Sequence, residues 1–160
     1  DVESLSSNPR GRQREEHPRG KDERSPDRPG SVTTALVCVA LLGLLVFGLG
    51  LAVSATRGRT NTVIGSSSDP TDTLHKMIRA HGNTAEYAAM LALLIFLVGM
   101  RSPETWALWT MCLATLSRYL IAIGMIVSPT LERPHPLRAI GAMGTYLAGF
   151  ALCVALLRSL

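Results

Sequence analysis

The stretch TLHKMIRAHGNTAEYAAMLALLIFLVGM, Thr73 to Met100, decides the fold. Its second half is wholly apolar, whereas its first half carries His75, Arg79, His81, Asn83 and Glu86. Between Glu86 and the next charge, Arg101, lie fourteen uncharged residues. As a helix those residues span roughly 21 Å, against a bilayer hydrocarbon core of about 30 Å. A crossing must therefore take Glu86 into the membrane. An ionisable group at that depth is costly, is paired as a rule, and marks function by default.

Working outward, three further apolar runs flank this one. Val32 to Val53 is uncharged throughout and reads as a spanning helix. It follows a long polar stretch and lacks an A-x-A cleavage site, which disfavours a cleaved signal peptide. Ser102-Pro103 predicts an N-cap and a first-turn proline for a third helix running to about Val127. So short a turn makes helices two and three an antiparallel pair. Pro129, Pro134 and Pro136 then break the chain before a fourth run, Leu137 to Leu157. No strand periodicity appears. The expected fold class is all-α, an integral membrane four-helix bundle over residues 31–160.

Residues 1–30 read differently. They hold Pro9, Pro18, Pro26 and Pro29 and seven basic against seven acidic side chains, with few apolar ones, so a disordered and dispensable tail is expected. The net charge of +4 then belongs to the membrane domain. Its Lys and Arg residues come with no basic helix or aromatic platform, which argues against nucleic-acid binding. Cys38, Cys112 and Cys153 lie inside apolar runs and read as small hydrophobes. With no second histidine at ligand spacing from His75, no metal site is proposed.

The hairpin supplies a depth argument. If the turn centres near Ser102, Glu86 and Arg118 each lie about sixteen residues, or about 24 Å, from it. An acid and a base then meet at one level. Arg57 or Arg59 after helix one and Arg138 in helix four fall on the same side. Two readings stay open: a buried ion pair that fixes register, or a ligand site. His75, Arg79, Asn83 and Glu86 recur at spacings of four, four and three, a polar stripe along one helix face. An arginine fork, an amide and a carboxylate suit a zwitterionic, carboxylate-bearing ligand. Gly141, Thr145 and Gly149 form a small-residue face that suits helix packing either within a subunit or between subunits.

The run RAHGNTAEY, Arg79 to Tyr87, resembles the signature of the membrane-associated proteins in eicosanoid and glutathione metabolism, the MAPEG family. SRYLIAIG around Arg118 and LRAIG around Arg138 support the resemblance, which covers roughly residues 32–158 and is similar to the bacterial branch. It implies a homotrimer embedded in the lipid bilayer, with glutathione or a related thiol as co-substrate and a hydrophobic small molecule as second substrate. Arg57, Arg79, Asn83, Glu86, Tyr87 and Arg118 would match glutathione-contacting positions, and Arg138 the arginine that activates the thiol. The implied activity is transfer of the thiol to lipophilic electrophiles, or their reduction. A lipid-presenting protein without catalysis is the alternative. A small transporter ranks third, because internal repeats are lacking.

This chain departs from the eicosanoid enzymes at Ile121 and Met125, which stand where those carry tyrosines. Tyr119 falls at another angle, and Tyr146 is not an obvious replacement. Positive-inside counting places loops one and three in the cytoplasm, with Arg57, Arg59, Lys76, Arg79, Arg133 and Arg138 against Arg101 in the second loop. In a bacterium the membrane would be the plasma membrane.

Overall fold

In the computed structural model, residues 29–160 are described and form four helices. They are α1 (Pro29–Thr60), α2 (Thr73–Gly99), α3 (Thr105–Val127) and α4 (Pro136–Arg158). The tail expected over residues 1–30 lies outside the described residues, except that its last two residues begin α1. All four helices are long and apolar enough to cross a membrane. The least apolar is α2, with a best-window mean hydropathy of 1.4 against 2.8 for α1, because its first half carries the polar stripe.

Local chemistry sets the helix ends. Asp72 caps α2, its carboxylate accepting from His75 N at 2.7 Å. The start expected for α3 needs correction. Ser102 takes a left-handed conformation (φ 49°) and reverses the chain, and the N-cap falls two residues later at Glu104. Proline restricts the residue before it from right-handed helical geometry, so Ser102-Pro103 ends a turn rather than opening a helix. The Glu104 carboxylate makes no cap bond and accepts from Trp106 Nε1 at 2.7 Å. Pro136 begins α4, where the missing amide costs nothing.

The antiparallel pair α2 and α3 forms the centre. On one side α1 packs against both, on the other α4 does, and α1 and α4 do not meet. The core between them is small and aliphatic, with Ala35, Leu42, Ile95, Met111, Ala114 and Leu152 buried. The small-residue face of α4 serves packing within the chain. A Cβ on Gly141 would lie 2.8 Å from Ser117 O and 2.7 Å from Ile121 Cγ1, and Thr145 is buried beside it. Gly149 has only Leu91 near it, at 3.9 Å.

The outward faces are greasy. Phe47, Leu51, Trp109 and Phe150 are all exposed by more than two thirds, as lipid-facing side chains are. At one end, loops 61–72 and 128–135 meet, with Leu131 N donating to Pro70 O at 3.1 Å. Lys76 Nζ donates to Ser128 O at 3.2 Å, a cation on the C-terminal end of α3. At the opposite end Arg101 Nη1 donates to Ser159 O at 3.0 Å, tying the α2–α3 turn to the end of α4.

Candidate functional site

Arg118 is the largest fully buried side chain, 1% exposed, and it sits among α2, α3 and α4. Arg118 lies at the depth expected from the turn, but its partner on α2 is Asn83 and not Glu86. Its Nη2 donates to Asn83 O at 2.8 Å and to Asn83 Oδ1 at 2.7 Å. Its guanidinium carbon lies 5.0 Å from the centroid of the Tyr87 ring, in cation–π range. Glu86 is exposed, and no ion pair joins it to Arg118 among the described residues. The reason is helix rotation. Thr84 and Ala88 lie on the buried stripe of α2, and Glu86, two residues from each, is turned about 200° from it.

Asn83 and Tyr87, one turn apart, do face the neighbouring helices. The Tyr87 hydroxyl meets the Tyr146 hydroxyl of α4 at 3.2 Å, with the two rings edge to face at 6.0 Å between centroids. Tyr119 faces the other way, donating to Leu41 O of α1 at 2.9 Å.

Arg138 lies in the first turn of α4. Its Nη1 donates to Leu131 O at 3.1 Å and Arg133 O at 3.3 Å, which fixes the fork against loop 128–135 and leaves Nε and Nη2 for other acceptors. A glycine makes the approach possible, since a Cβ on Gly124 would sit 3.0 Å from both Arg138 Cγ and Arg138 N.

A cavity of about 300 Å³ joins these groups. Asn83, Tyr87, Arg118 and Arg138 all line it, together with Ile121, Met125, His135 and Tyr146. Its size is at the lower end of the range for small-ligand pockets, about 300–1,000 Å³. Two of its lining residues carry a buried polar atom, Arg118 Nε and His135 Nδ1, that has no partner among the described residues. Such atoms are rare in folded proteins.

The remaining expected positions lie elsewhere. Arg57 closes the end of α1, its Nη1 donating to Gly65 O at 2.8 Å and, at 3.4 Å each, to Thr62 O and Val63 O. Arg79 and Glu86 are exposed on α2 and do not line the cavity. Two lining residues, His135 and Tyr146, are not among the positions expected from the sequence. Helical counting from Arg138 gives a signal for both, because His135 precedes it by one turn and Tyr146 follows it by about two.

Four membrane-crossing helices and an arginine-lined cavity near one end define an integral, multi-pass membrane protein. The sequence profile of the MAPEG family matches residues 35–158, and the chain belongs to that family. Among curated proteins none matches it.

Proposed function

We propose that the protein is a thiol transferase or peroxidase of the membrane, using glutathione or a related low-molecular-weight thiol against lipophilic electrophiles. One observation carries this reading: a cavity lined by two guanidiniums, Arg118 and Arg138, with no carboxylate among its described lining residues. Guanidinium forks bind carboxylates, and a small thiol peptide brings carboxylates. The donor set therefore fits such a ligand, with Asn83, Tyr87 and Arg118 to hold it and Arg138 beside the sulfur. A free thiol has a pKa of about 8.5 and is a poor nucleophile when protonated; a fixed cation stabilises the thiolate. Ile121, Met125 and Ala142 on the same cavity suit an apolar second substrate arriving from the bilayer.

We infer further that the working form is a homotrimer. Glu86 lies midway along α2 and is exposed. A carboxylate facing lipid at that depth costs on the order of 3 kcal/mol even on the mildest scales, and a neighbouring subunit removes the cost. In this reading Arg57, Arg79 and Glu86 complete a site shared with the adjacent copy. Loops one and three face the cytoplasm, since Arg57, Arg59, Lys76, Arg79, Arg133 and Arg138 gather at that end. In a bacterial cell the membrane is then the plasma membrane.

The test is calorimetry of glutathione on the purified oligomer, beside an analogue lacking the γ-glutamyl carboxylate, together with thiolate difference absorbance. Binding that weakens with the analogue and a thiolate signal support a transferase. Binding of a lipophile with no thiolate signal points to a lipid-presenting protein. Native mass spectrometry showing only monomer in mild detergents would refute the trimer.

A further inference from the structure

His135 is the N-cap residue of α4, with extended backbone at φ −121° and ψ 133°. Its carbonyl accepts from Arg138 N at 3.0 Å and Ala139 N at 3.1 Å. An N-cap side chain ordinarily accepts from the first free amides of its helix. This imidazole makes no such bond. Nδ1 is buried with no partner among the described residues, and the residue lines the cavity that holds Arg118 and Arg138. Arg118 and His135, two side chains on one cavity, thus each keep bonding capacity that the described residues do not use, and together they point to a ligand seated between them.

The charged and titratable surroundings narrow the role. Tyr87 from α2, Arg118 from α3, and Arg138 and Tyr146 from α4 line the same cavity. Lys76 of α2 is held at Ser128 O, while Glu132 and Arg133 are exposed on the loop itself. Among the described residues lining the cavity there is no carboxylate. His135 is the one imidazole among the described lining residues, and a neutral imidazole offers one acceptor nitrogen. Arginine stabilises a thiolate by charge but cannot take its proton.

We propose that His135 is the general base that accepts the thiol proton, an inference that rests on the thiol-transferase reading of this cavity. The S–H bond breaks, the proton moves to the imidazole of His135, and the electron pair stays on sulfur beside Arg138. Sulfur then forms a bond to an electrophilic carbon while the leaving group departs with its bonding pair. The imidazolium then gives its proton to a basic leaving group, or to water when the leaving group is a halide, so thiol and electrophile become thioether, leaving group and one proton.

The experiment uses the full chain as its detergent-solubilised oligomer, with the His135→Asn and His135→Gln variants. Asparagine is favoured at an N-cap, so the first variant keeps the start of α4 while removing the base. Glutathione binding is measured by calorimetry in two buffers of different ionisation enthalpy, alongside thiolate absorbance and turnover of a chlorodinitrobenzene electrophile. The parent should form thiolate while releasing no proton to the buffer. Both variants should bind glutathione within about threefold of the parent and lose turnover by about 100-fold, the range of a general base. Any thiolate they form should release its proton to the buffer.

Turnover and thiolate formation equal to the parent in either folded variant would overturn the proposal while leaving the thiol reading intact. The parent's proton count needs no mutation: release matching the thiolate formed overturns the proposal even if both variants fail to assemble. A parent that binds no glutathione and forms no thiolate overturns the thiol reading, and this proposal with it.

Discussion

Replacing Asn83 by leucine tests which group on α2 holds Arg118. The guanidinium gives Nη2 to two acceptors on that residue, the backbone carbonyl at 2.8 Å and the side-chain oxygen at 2.7 Å. Asn83→Leu removes the second and keeps the first. A hydrogen bond to a charged group contributes about 1.5–3 kcal/mol in soluble proteins, and membrane-embedded ones run lower, about 0.6 on average and about 1.7 at most. Because Arg118 is 1% exposed, water does not replace the lost acceptor, and we expect a loss of about 2 kcal/mol. Arg118→Leu alone strands the Asn83 amide, whereas the double variant strands neither group. The cycle should give an interaction energy of about 1–1.7 kcal/mol, the upper part of the membrane-embedded range. The same cycle run with Glu86→Gln should give less than about 0.5 kcal/mol, the level of uncoupled sites. Reversible unfolding in mixed micelles, at fixed protein concentration because assembly adds mass-action stability, provides the measurement. An interaction energy larger with Glu86 than with Asn83 would refute the assignment and restore the carboxylate as the partner.

Gly124→Ala places a methyl 3.0 Å from Arg138 Cγ and Arg138 N, so it should weaken thiol binding by displacing the fork, at an overpacking cost of about 1–3 kcal/mol seen in the same unfolding assay. Tyr119→Phe removes the bond to Leu41 O and should cost no more than about 1.7 kcal/mol while leaving ligand binding unchanged, since that residue lies away from the cavity. In loop 61–72 the Asp69 carboxyl is held below its ordinary range by the Thr71 hydroxyl and then by the Thr71 amide. A depressed folded value means the contribution is complete above the unfolded pKa of about 3.9 and is lost as the pH falls through the lower folded value. The protection of the Thr71 amide, its exchange divided by the intrinsic rate at each pH, should fall only at the acid end of that window, and Asp69→Asn should abolish that pH dependence of protection.

Span number and hairpin pairing were legible in the residues because the bilayer imposes them. About twenty apolar residues are needed to cross it, and charges are excluded between the ends. Counting from the turn also put Arg118 at its proper depth, since rise per residue is nearly invariant in a helix. Gathering of Arg57, Arg79 and Arg138 at one end followed from the same count. What counting leaves undetermined is the rotation of each helix about its axis. Asn83 and Glu86 are three residues apart, about 60° around the helix, and both belong to the polar stripe read from sequence. Which of them meets Arg118 depends on how the Thr84 and Ala88 stripe packs against its neighbours, a matter of side-chain shape across three helices.

The same holds for α4. Its apolar residues run all round the helix, so the sequence carries no strong signal of which side faces α3. Only the close contact at Gly141 and Gly124 turns Arg138, His135 and Tyr146 toward one cavity. Composition and periodicity thus determined that this chain crosses a membrane four times with a polar layer near one end. Tertiary packing alone decided that Asn83, Tyr87, Arg118, His135, Arg138 and Tyr146 share a cavity while Glu86 does not, because rotation about a helix axis is set by contacts between helices and not by the spacing along any one of them.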